Sequence, residues 1–323
     1  MRRSPVAVVA LVAVALTVAA CGSSSNSSDS STADTTAASG SGDAANILSA
    51  IDTKASTGPQ KLKLDVTIDI KGAPSNPQLA LFTKQPIHLG VDGVVDSAGK
   101  SADVNVSVTL GTSPIEAEIR TGGGKSWIQL DGKWYDLPAD ALSSTTGTAL
   151  PTGASASNLD AGKILAAIGD PAKLLDNASV SSETVEGIDS DKVSGDVNIA
   201  GVAAAAANLS KSLGNSTAAA PTQAEIDKTT AQLKKIVTKA HVDLWVGKSD
   251  HKVHRVAFNV DSAMDAATKK SSGIDAATIN LDVTTVDASA PDISAPSSVG
   301  TPAEFQAAVV GLLGKVMGGA AGG

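Results

Sequence analysis

The sequence has little cysteine and few aromatic side chains. Its 323 residues include one cysteine, and phenylalanine, tryptophan and tyrosine together account for 2%. A single cysteine excludes a disulfide-stabilised scaffold and a thiolate metal cluster. Because aromatic rings are scarce, the core that this chain can build consists mainly of alanine, valine, leucine and isoleucine.

Basic residues are also in the minority. Lysine and arginine number 25 against 33 acidic residues, and the formal net charge is −8. No cluster of basic residues interrupts this acidic balance, so the chain lacks the electrostatic footprint of a nucleic-acid-binding protein. We therefore expect no nucleic-acid partner.

No apolar run is long enough to cross a membrane as a helix. The longest, residues 6–16, falls short of the roughly 20 residues that span a bilayer. It follows the cationic pair Arg2 and Arg3, and small residues lead from it to Ala20. This layout predicts a secretory signal peptide over residues 1–20.

The end of that segment, Val18-Ala19-Ala20-Cys21, resembles the bacterial lipobox, with valine where leucine is more usual. The resemblance implies cleavage between Ala20 and Cys21, a diacylglycerol thioether on Cys21 and acylation of its amino group. Two or three acyl chains form a stable anchor, whereas one chain binds a bilayer only marginally. We expect an extracytoplasmic protein anchored by Cys21 to the outer leaflet of the bacterial plasma membrane. The alternative is that Cys21 is an ordinary residue of a cleaved signal.

A tether and one large domain follow the anchor in this interpretation. Residues 22–42 are mostly serine, threonine, alanine, glycine and aspartate, with no apolar side chain larger than alanine. Such a composition cannot bury a core, so residues 21–42 are predicted to be a lipidated, disordered tether. Residues 43–323 are predicted to form a single domain with a C-terminal helix over 302–317.

Strict alternation of apolar and polar residues predicts long strands with one wet face. It is clearest over residues 61–70 and returns over 104–110 and 115–120. Asp131-Gly132 is a two-residue hairpin signal between two further strands. Other strands are predicted over 79–93 (interrupted by Pro86), 183–187, 192–199, 240–246, 253–260 and 274–286.

Helical spacing predicts elements that cover the dry face of this sheet. They lie over residues 43–57, 159–175, 202–237 and 302–317. About ten antiparallel strands with one-sided polarity and a small number of helices indicate the α+β class.

Three segments together resemble a known group of proteins. They are DPAKLL at 170–175, ETVEGID and VSGDV within 183–197, and HVDLWV followed by VHRV within 241–256. This pattern, spread over residues 47–286, is similar to the actinobacterial LppX/LprA/LprF/LprG lipoproteins. The chain departs from it in an Ala/Ser/Thr insert at 201–222 and in the helix after Pro302.

The resemblance implies both a fold and a function. The fold is a single large curved antiparallel sheet, a half-barrel similar to that of the lipoprotein carriers, with helices covering its concave face. The function is the binding of a lipid or glycolipid in a hydrophobic cavity and its transport across the envelope. Candidate lining side chains come from the dry faces of two predicted strands: Leu62, Leu64, Val66, Ile68, Val104, Val106 and Val108. Their alternative role is ordinary core beneath a helix.

No motif supports catalysis, a cofactor or a metal. The two Gly-Lys-Ser triplets at 124–126 and 247–249 lack the earlier glycine of a phosphate-binding loop. His251 and His254 are expected to be solvated residues of a turn. We therefore expect a non-enzyme with no cofactor, and a monomer.

Three aromatic residues, Trp127, Trp134 and Tyr135, flank the hairpin signal. They either rim the mouth of a pocket or pack across neighbouring strands.

Two functions fit these features of the sequence. The first is a membrane-anchored lipid carrier. The second is an anchored protein-binding or sensor module with a filled core. An accessible apolar cavity favours the first, and a closed core with an exposed apolar patch favours the second.

Overall fold

The structure is a computed structural model that describes residues 41–52, 58–74, 80, 82–96, 98–110, 113–137, 174–200 and 223–319. The predicted signal peptide and nearly all of the predicted tether lie outside these residues. So do positions 159–173 and 202–222 of the predicted helices.

An open antiparallel sheet of eleven strands dominates the structure, in the order β6-β5-β4-β3-β2-β1-β11-β10-β9-β8-β7. The α+β class and the single large sheet are therefore confirmed, with β6 and β7 as edge strands. The strands are β1 Gln60–Gly72, β2 Ile87–Asp96, β3 Ser101–Leu110, β4 Ser113–Gly122, β5 Lys125–Leu130, β6 Lys133–Asp136, β7 Leu175–Val185, β8 Ile188–Val197, β9 Val237–Gly247, β10 Val253–Ala263 and β11 Ile274–Asp287.

Most strands lie where alternation predicted them, and the two exceptions have local causes. β2 begins directly after Pro86, because proline has no N–H group to donate to a sheet. Leu175 begins β7 instead of ending a helix. A register shift between Asp176 and Ser179 interrupts the alternation there, which hides the strand from a pattern of period two.

Four helices with assigned bounds accompany the sheet among the described residues: α1 Ser41–Ser49, α2 Gln223–Ile236, α3 Ala266–Ser272 and α4 Pro302–Gly319. The predicted C-terminal helix is present as α4. The first helix ends at Ser49, earlier than predicted.

Helix α3 was not predicted, although its start and stop signals are in the sequence. The side chain of Asp265 accepts a hydrogen bond from the backbone N–H of Thr268 at 2.7 Å. Gly273 ends the helix with a φ of 71°. An aspartate cap and a left-handed glycine are the usual boundaries of a short helix.

The chain forms two compact units. The first contains α1, β7–β10 and α2, and the second contains β1–β6, β11, α3 and α4. The prediction of one domain over residues 43–323 stays a prediction.

The core of the first unit lies where α1 packs on β7 and β8. Ala44 and Leu48 of the helix are buried together with Val193 of β8. Beyond the helix, the backbone N–H of Asp52 donates to the carbonyl of His251 at 2.9 Å. This hydrogen bond ties the chain after α1 to the β9–β10 turn.

In the second unit, the segment after β11 leads to the edge strand β6. Ile293 of this segment packs against Gly122, at a distance that leaves no room for a Cβ atom there. The backbone N–H of Gly300 then donates to the carbonyl of Trp134 at 2.7 Å. The segment thus pairs with β6 and occupies part of an edge that would otherwise be open to other strands.

Candidate ligand-binding face

The register of the second unit brings all seven predicted lining residues to one face of the sheet. Residues paired directly across antiparallel strands share a face. Leu64 of β1 pairs with Val91 of β2, Val91 pairs with Val106 of β3, and Val106 pairs with Ala117 of β4. These paired residues form one row across the four strands, and the neighbouring rows on the same face are also apolar.

We call this surface the aliphatic strip. It consists of Leu62, Leu64, Val66 and Ile68 in β1, Leu89 and Val91 in β2, Val104, Val106 and Val108 in β3, and Ile115, Ala117 and Ile119 in β4. The five residues in β2 and β4 were not among the predicted lining. Their strand alternation was visible, but only strand pairing shows that they extend the same surface.

The strip is half-buried in its middle and buried at both margins. Every residue of the strip retains some accessible surface. On the β11 side, Leu281 and Val283 continue the same rows and are only 7% and 5% exposed. On the β6 side, Leu130 and Tyr135 are each 5% exposed. An accessible aliphatic surface with covered borders is therefore present within one unit.

The two faces of these strands differ sharply in chemistry. Asp65, Asp92, Asn105, Ser107 and Glu116 alternate with the strip residues and are exposed on the opposite face. The strip has only aliphatic side chains, so an apolar molecule that covered it would be held by the removal of apolar surface from water. That gain is about 25 cal/mol per Å² of apolar surface buried.

Helix α4 lies at the β6 end of the strip. Tyr135 pairs with Ile128, and Ile128 pairs with Ile119, so Tyr135 shares the face of the strip. The ring of Phe305 in α4 packs against Tyr135, with centroids 5.6 Å apart and planes tilted by 52°. Helix α4 also contacts β4 and β6.

A capping box fixes the first turn of α4. The backbone N–H of Thr301 donates to Glu304 Oε2 at 2.8 Å, and the backbone N–H of Glu304 donates to Thr301 Oγ1 at 3.3 Å. Lys133 Nζ of β6 donates to Glu304 Oε1 at 2.6 Å. The hydrogen bond from Lys133, followed by those from Thr301, lowers the pKa of Glu304 to about 2. The same contact with Glu304 raises the pKa of Lys133.

The contact between Lys133 and Glu304 is expected to make the docking of α4 sensitive to acid. The pKa of Glu304 falls from 4.5 to about 2 on folding, so the contact contributes fully above pH 4.5 and is lost as the pH falls through about 2. At the alkaline end, it contributes fully below 10.5 and is lost as the pH rises through the raised pKa of Lys133. NMR shifts of the Tyr135 and Phe305 rings should move between pH 4.5 and 2.

Glu304→Gln is the matched control, because glutamine keeps the capping geometry but has no carboxylate to protonate. Its ring shifts should stay flat over the same pH range. An equal movement in the variant would show that another group causes the acid transition.

The tryptophans of the β5–β6 hairpin lie on the face opposite the strip. Trp127 pairs with Arg120, and Trp134 pairs with Gln129 on the same face. The guanidinium carbon of Arg120 is 4.8 Å from the centroid of the Trp134 ring. Of the three aromatics that flank the hairpin, only Tyr135 faces the strip. The tryptophans pack across strands, and neither borders the aliphatic surface.

In the first unit, the most elaborate polar cluster surrounds Trp245. The charged ends of Lys192 and Arg255 lie 4.8 and 4.4 Å from the centroid of its ring. Its indole N–H donates to Glu183 Oε2 at 3.0 Å. Trp245 is 3% exposed, whereas Glu183 is exposed, so the buried ring lies beneath partners that are themselves partly in contact with water. The cluster brings together Glu183, Trp245 and Arg255, which belong to the motifs ETVEGID, HVDLWV and VHRV.

A serine, a histidine and an aspartate lie beside this cluster in the order of a catalytic triad. Ser194 Oγ is 3.0 Å from His241 Nε2, and Asp196 Oδ1 is 3.1 Å from His241 Nδ1. The hydrogen bond with His241 lowers the pKa of Asp196. β8 is paired with β7 and β9, so most backbone N–H groups along it donate within the sheet instead of pointing at a common acceptor. Asp243 Oδ1, 3.5 Å from His241 Nε2, would also repel an oxyanion. The arrangement therefore does not support acyl transfer.

The expectation of solvated turn histidines is wrong for His254. This side chain is 3% exposed, and its Nε2 lies 3.0 Å from Asp250 Oδ2. It lies against Gly247, where a Cβ atom would be only 2.8 Å from His254 Nε2. A β9–β10 turn that folds back on its own strand buries the imidazole. His251, by contrast, is exposed in the turn.

In the ranges that the structure describes, no group of three or more His, Cys, Asp or Glu side chains is placed to hold a metal ion. Within the same ranges, no helix combines the length and the apolar character needed to span a bilayer. Cys21 and Ala20 lie outside the described residues, so their roles stay predictions.

Comparison with solved structures finds the crystal structure of LprF from Mycobacterium bovis. The two chains share 16% identity with a TM-score of 0.37, and the match covers 81% of this chain and 100% of that chain. LprF is one of the names in the group that the motifs resemble. No protein-family model and no curated protein matches the chain.

Proposed function

We propose that this protein is a membrane-anchored envelope lipoprotein that binds and carries a lipid or glycolipid, with acyl chains held on the aliphatic strip. The observation that supports this proposal is the strip itself, which is aliphatic, partly accessible and bounded by buried residues such as Val283 and Tyr135. Ordinary core would be covered throughout, and an ordinary wet face would be polar.

The energetics suit acyl chains. Burial of each methylene group contributes about 0.8 kcal/mol, so ten methylenes contribute roughly 8 kcal/mol before the cost of ordering the ligand. Aliphatic side chains supply this gain without directional chemistry. The strip therefore selects for apolar chains, and recognition of a polar headgroup would involve residues outside it.

The predicted anchor suits the same role. A lipid on Cys21 would hold the carrier at the membrane that supplies its cargo. The acidic chain, with a formal charge of −8, would be repelled by anionic headgroups and would stand off the surface on its tether.

Val106→Asp tests the proposal, because it places a carboxylate in the middle of the strip. Binding of a dansyl-labelled fatty acid should weaken by at least tenfold, since the buried chain would have to desolvate a charge. The full chain should carry Cys21→Ser, so that its own acyl anchor is not counted as a ligand. Fluorescence titration and native mass spectrometry of copurified lipid measure the effect.

Thr109→Asp is the matched control. It adds the same charge to the same strand, but on the opposite face, where its neighbours are His88 and Pro114. It should bind the probe as the parent does. If the parent binds no fatty acid and carries no extractable lipid, the proposal fails and the anchored protein-binding module is favoured.

A further inference from the structure

We propose that Phe305, seated against Tyr135, closes the β6 end of the aliphatic strip and so limits the length of the acyl chain that the strip accepts. This inference rests on the proposed function and assigns a specificity-determining residue to it. The residue belongs to α4, the helix by which this chain departs from the motif pattern described above.

We call the ring pair of Tyr135 and Phe305 the stop. One row of paired residues leads across the sheet to it. Leu62 of β1 is followed across the sheet by Gly93, Val104, Ile119 and Ile128, and Tyr135 ends the row in β6. Neighbouring strands are about 4.8 Å apart, so the row is roughly 24 Å long. An extended chain that lies across the strands from β1 would meet the Tyr135 ring at the far end.

The stop is held in place by two contacts with β6. Lys133 of β6 binds Glu304, and the Gly300 N–H donates to the carbonyl of Trp134 in the same strand. Phe305 directly follows Glu304, so its ring position is tied to β6. Tyr135 is 5% exposed beneath it. The ring pair is therefore a fixed part of the second unit at the covered margin of the strip.

If the ring pair is a stop, removal of the Phe305 ring should change the longest acyl chain that the strip accepts. Phe305→Ala deletes one ring of the pair and opens the β6 end, so a longer chain can extend past β5 and bury more methylenes. Tyr135 stays in place, which leaves the strand and the other strip residues unchanged. The cut-off in chain length should therefore shift, with little change for short chains that never reach the stop.

The experiment is a competition series with saturated fatty acids of increasing length, from about 12 to 24 carbons, against the dansyl-labelled probe. In the Cys21→Ser parent, affinity should rise with length and then level off or fall. In Phe305→Ala, the cut-off should move to chains two to four carbons longer, and the longest acids should bind at least tenfold more tightly. Val310→Ala removes methyl groups from a 69% exposed position of the same helix and should leave the profile unchanged.

The results distinguish a failure of the proposed function from a failure of the stop. A parent that binds no fatty acid of any length overturns the proposed function. A parent that binds, with the same cut-off in Phe305→Ala, overturns the stop alone, and so does a general loss of binding in that variant. Phe305→Leu keeps an apolar contact with Tyr135, so α4 should stay docked in this variant even if it undocks in Phe305→Ala. It should give a smaller shift in the same direction, and no shift in either variant counts against the stop.

Discussion

Replacement of Trp245 by alanine is expected to lower the free energy of unfolding by about 3–5 kcal/mol, the range for removing a buried tryptophan. The side chain is 3% exposed, so its loss leaves a cavity in the first unit. Lys192 and Arg255 lose the ring on which their charges lie, and Glu183 loses its indole donor. Urea unfolding followed by far-UV circular dichroism measures the change.

Two controls separate burial from the polar contacts of Trp245. Trp245→Phe keeps a ring between the two cations but removes the hydrogen bond to Glu183, and should cost about 1–2 kcal/mol. Trp134→Ala removes a half-buried tryptophan that has one cation, Arg120, near its ring. It should cost less than half as much as Trp245→Ala. Equal losses at both tryptophans would contradict a special role for the cluster around Trp245.

Replacement of Cys21 by serine is expected to move the protein completely from the detergent-rich to the aqueous phase in Triton X-114 partitioning. Serine has no thiol for the thioether, so neither the diacylglycerol nor the later N-acyl chain is added. An anchor of two or three chains is effectively permanent, so its loss is an all-or-none effect. Intact-mass spectrometry of the purified protein should show the corresponding loss of lipid mass.

Ser23→Ala, in the adjacent tether sequence, is the matched control and should stay in the detergent-rich phase. If Cys21→Ser also stayed there, with intact mass showing that residues 1–20 had been removed, the anchor prediction would be wrong, and an apolar surface of the folded chain would have to hold the protein at the detergent. Partition of both proteins into the aqueous phase, with an unmodified Cys21, would indicate an ordinary cleaved signal.

Much of the sheet could be predicted because a strand records its faces locally. In residues 61–70, the apolar side chains occupy every second position, which indicates a strand and its dry side without knowledge of any neighbour. Leu64 and Val106 could therefore be proposed as lining from their own segments. The glycine and proline signals near Pro86 and Asp131-Gly132 likewise acted over a few residues.

The features that the sequence did not predict depend on tertiary contacts or on irregular strand pairing, which local alternation does not record. The burial of His254 depends on a turn that folds back on β9, and the start of β7 is hidden by a register shift. The strip could not be assembled from alternation, because alternation does not say which strands are neighbours. The contact between Lys133 and Glu304 joins residues 171 positions apart. No local pattern predicts such a pair.

By itself, the sequence determined the α+β class, the strands with their dry faces, the acidic charge and the candidate anchor at Cys21. These properties depend on composition and on residues close together in the chain. Only the tertiary structure decided that β1–β4 form one strip, that Tyr135 faces this strip while Trp127 and Trp134 face away, and that Phe305 packs against Tyr135. Strand pairing and burial bring together residues that are far apart in sequence, so their physical cause is not contained in any one segment.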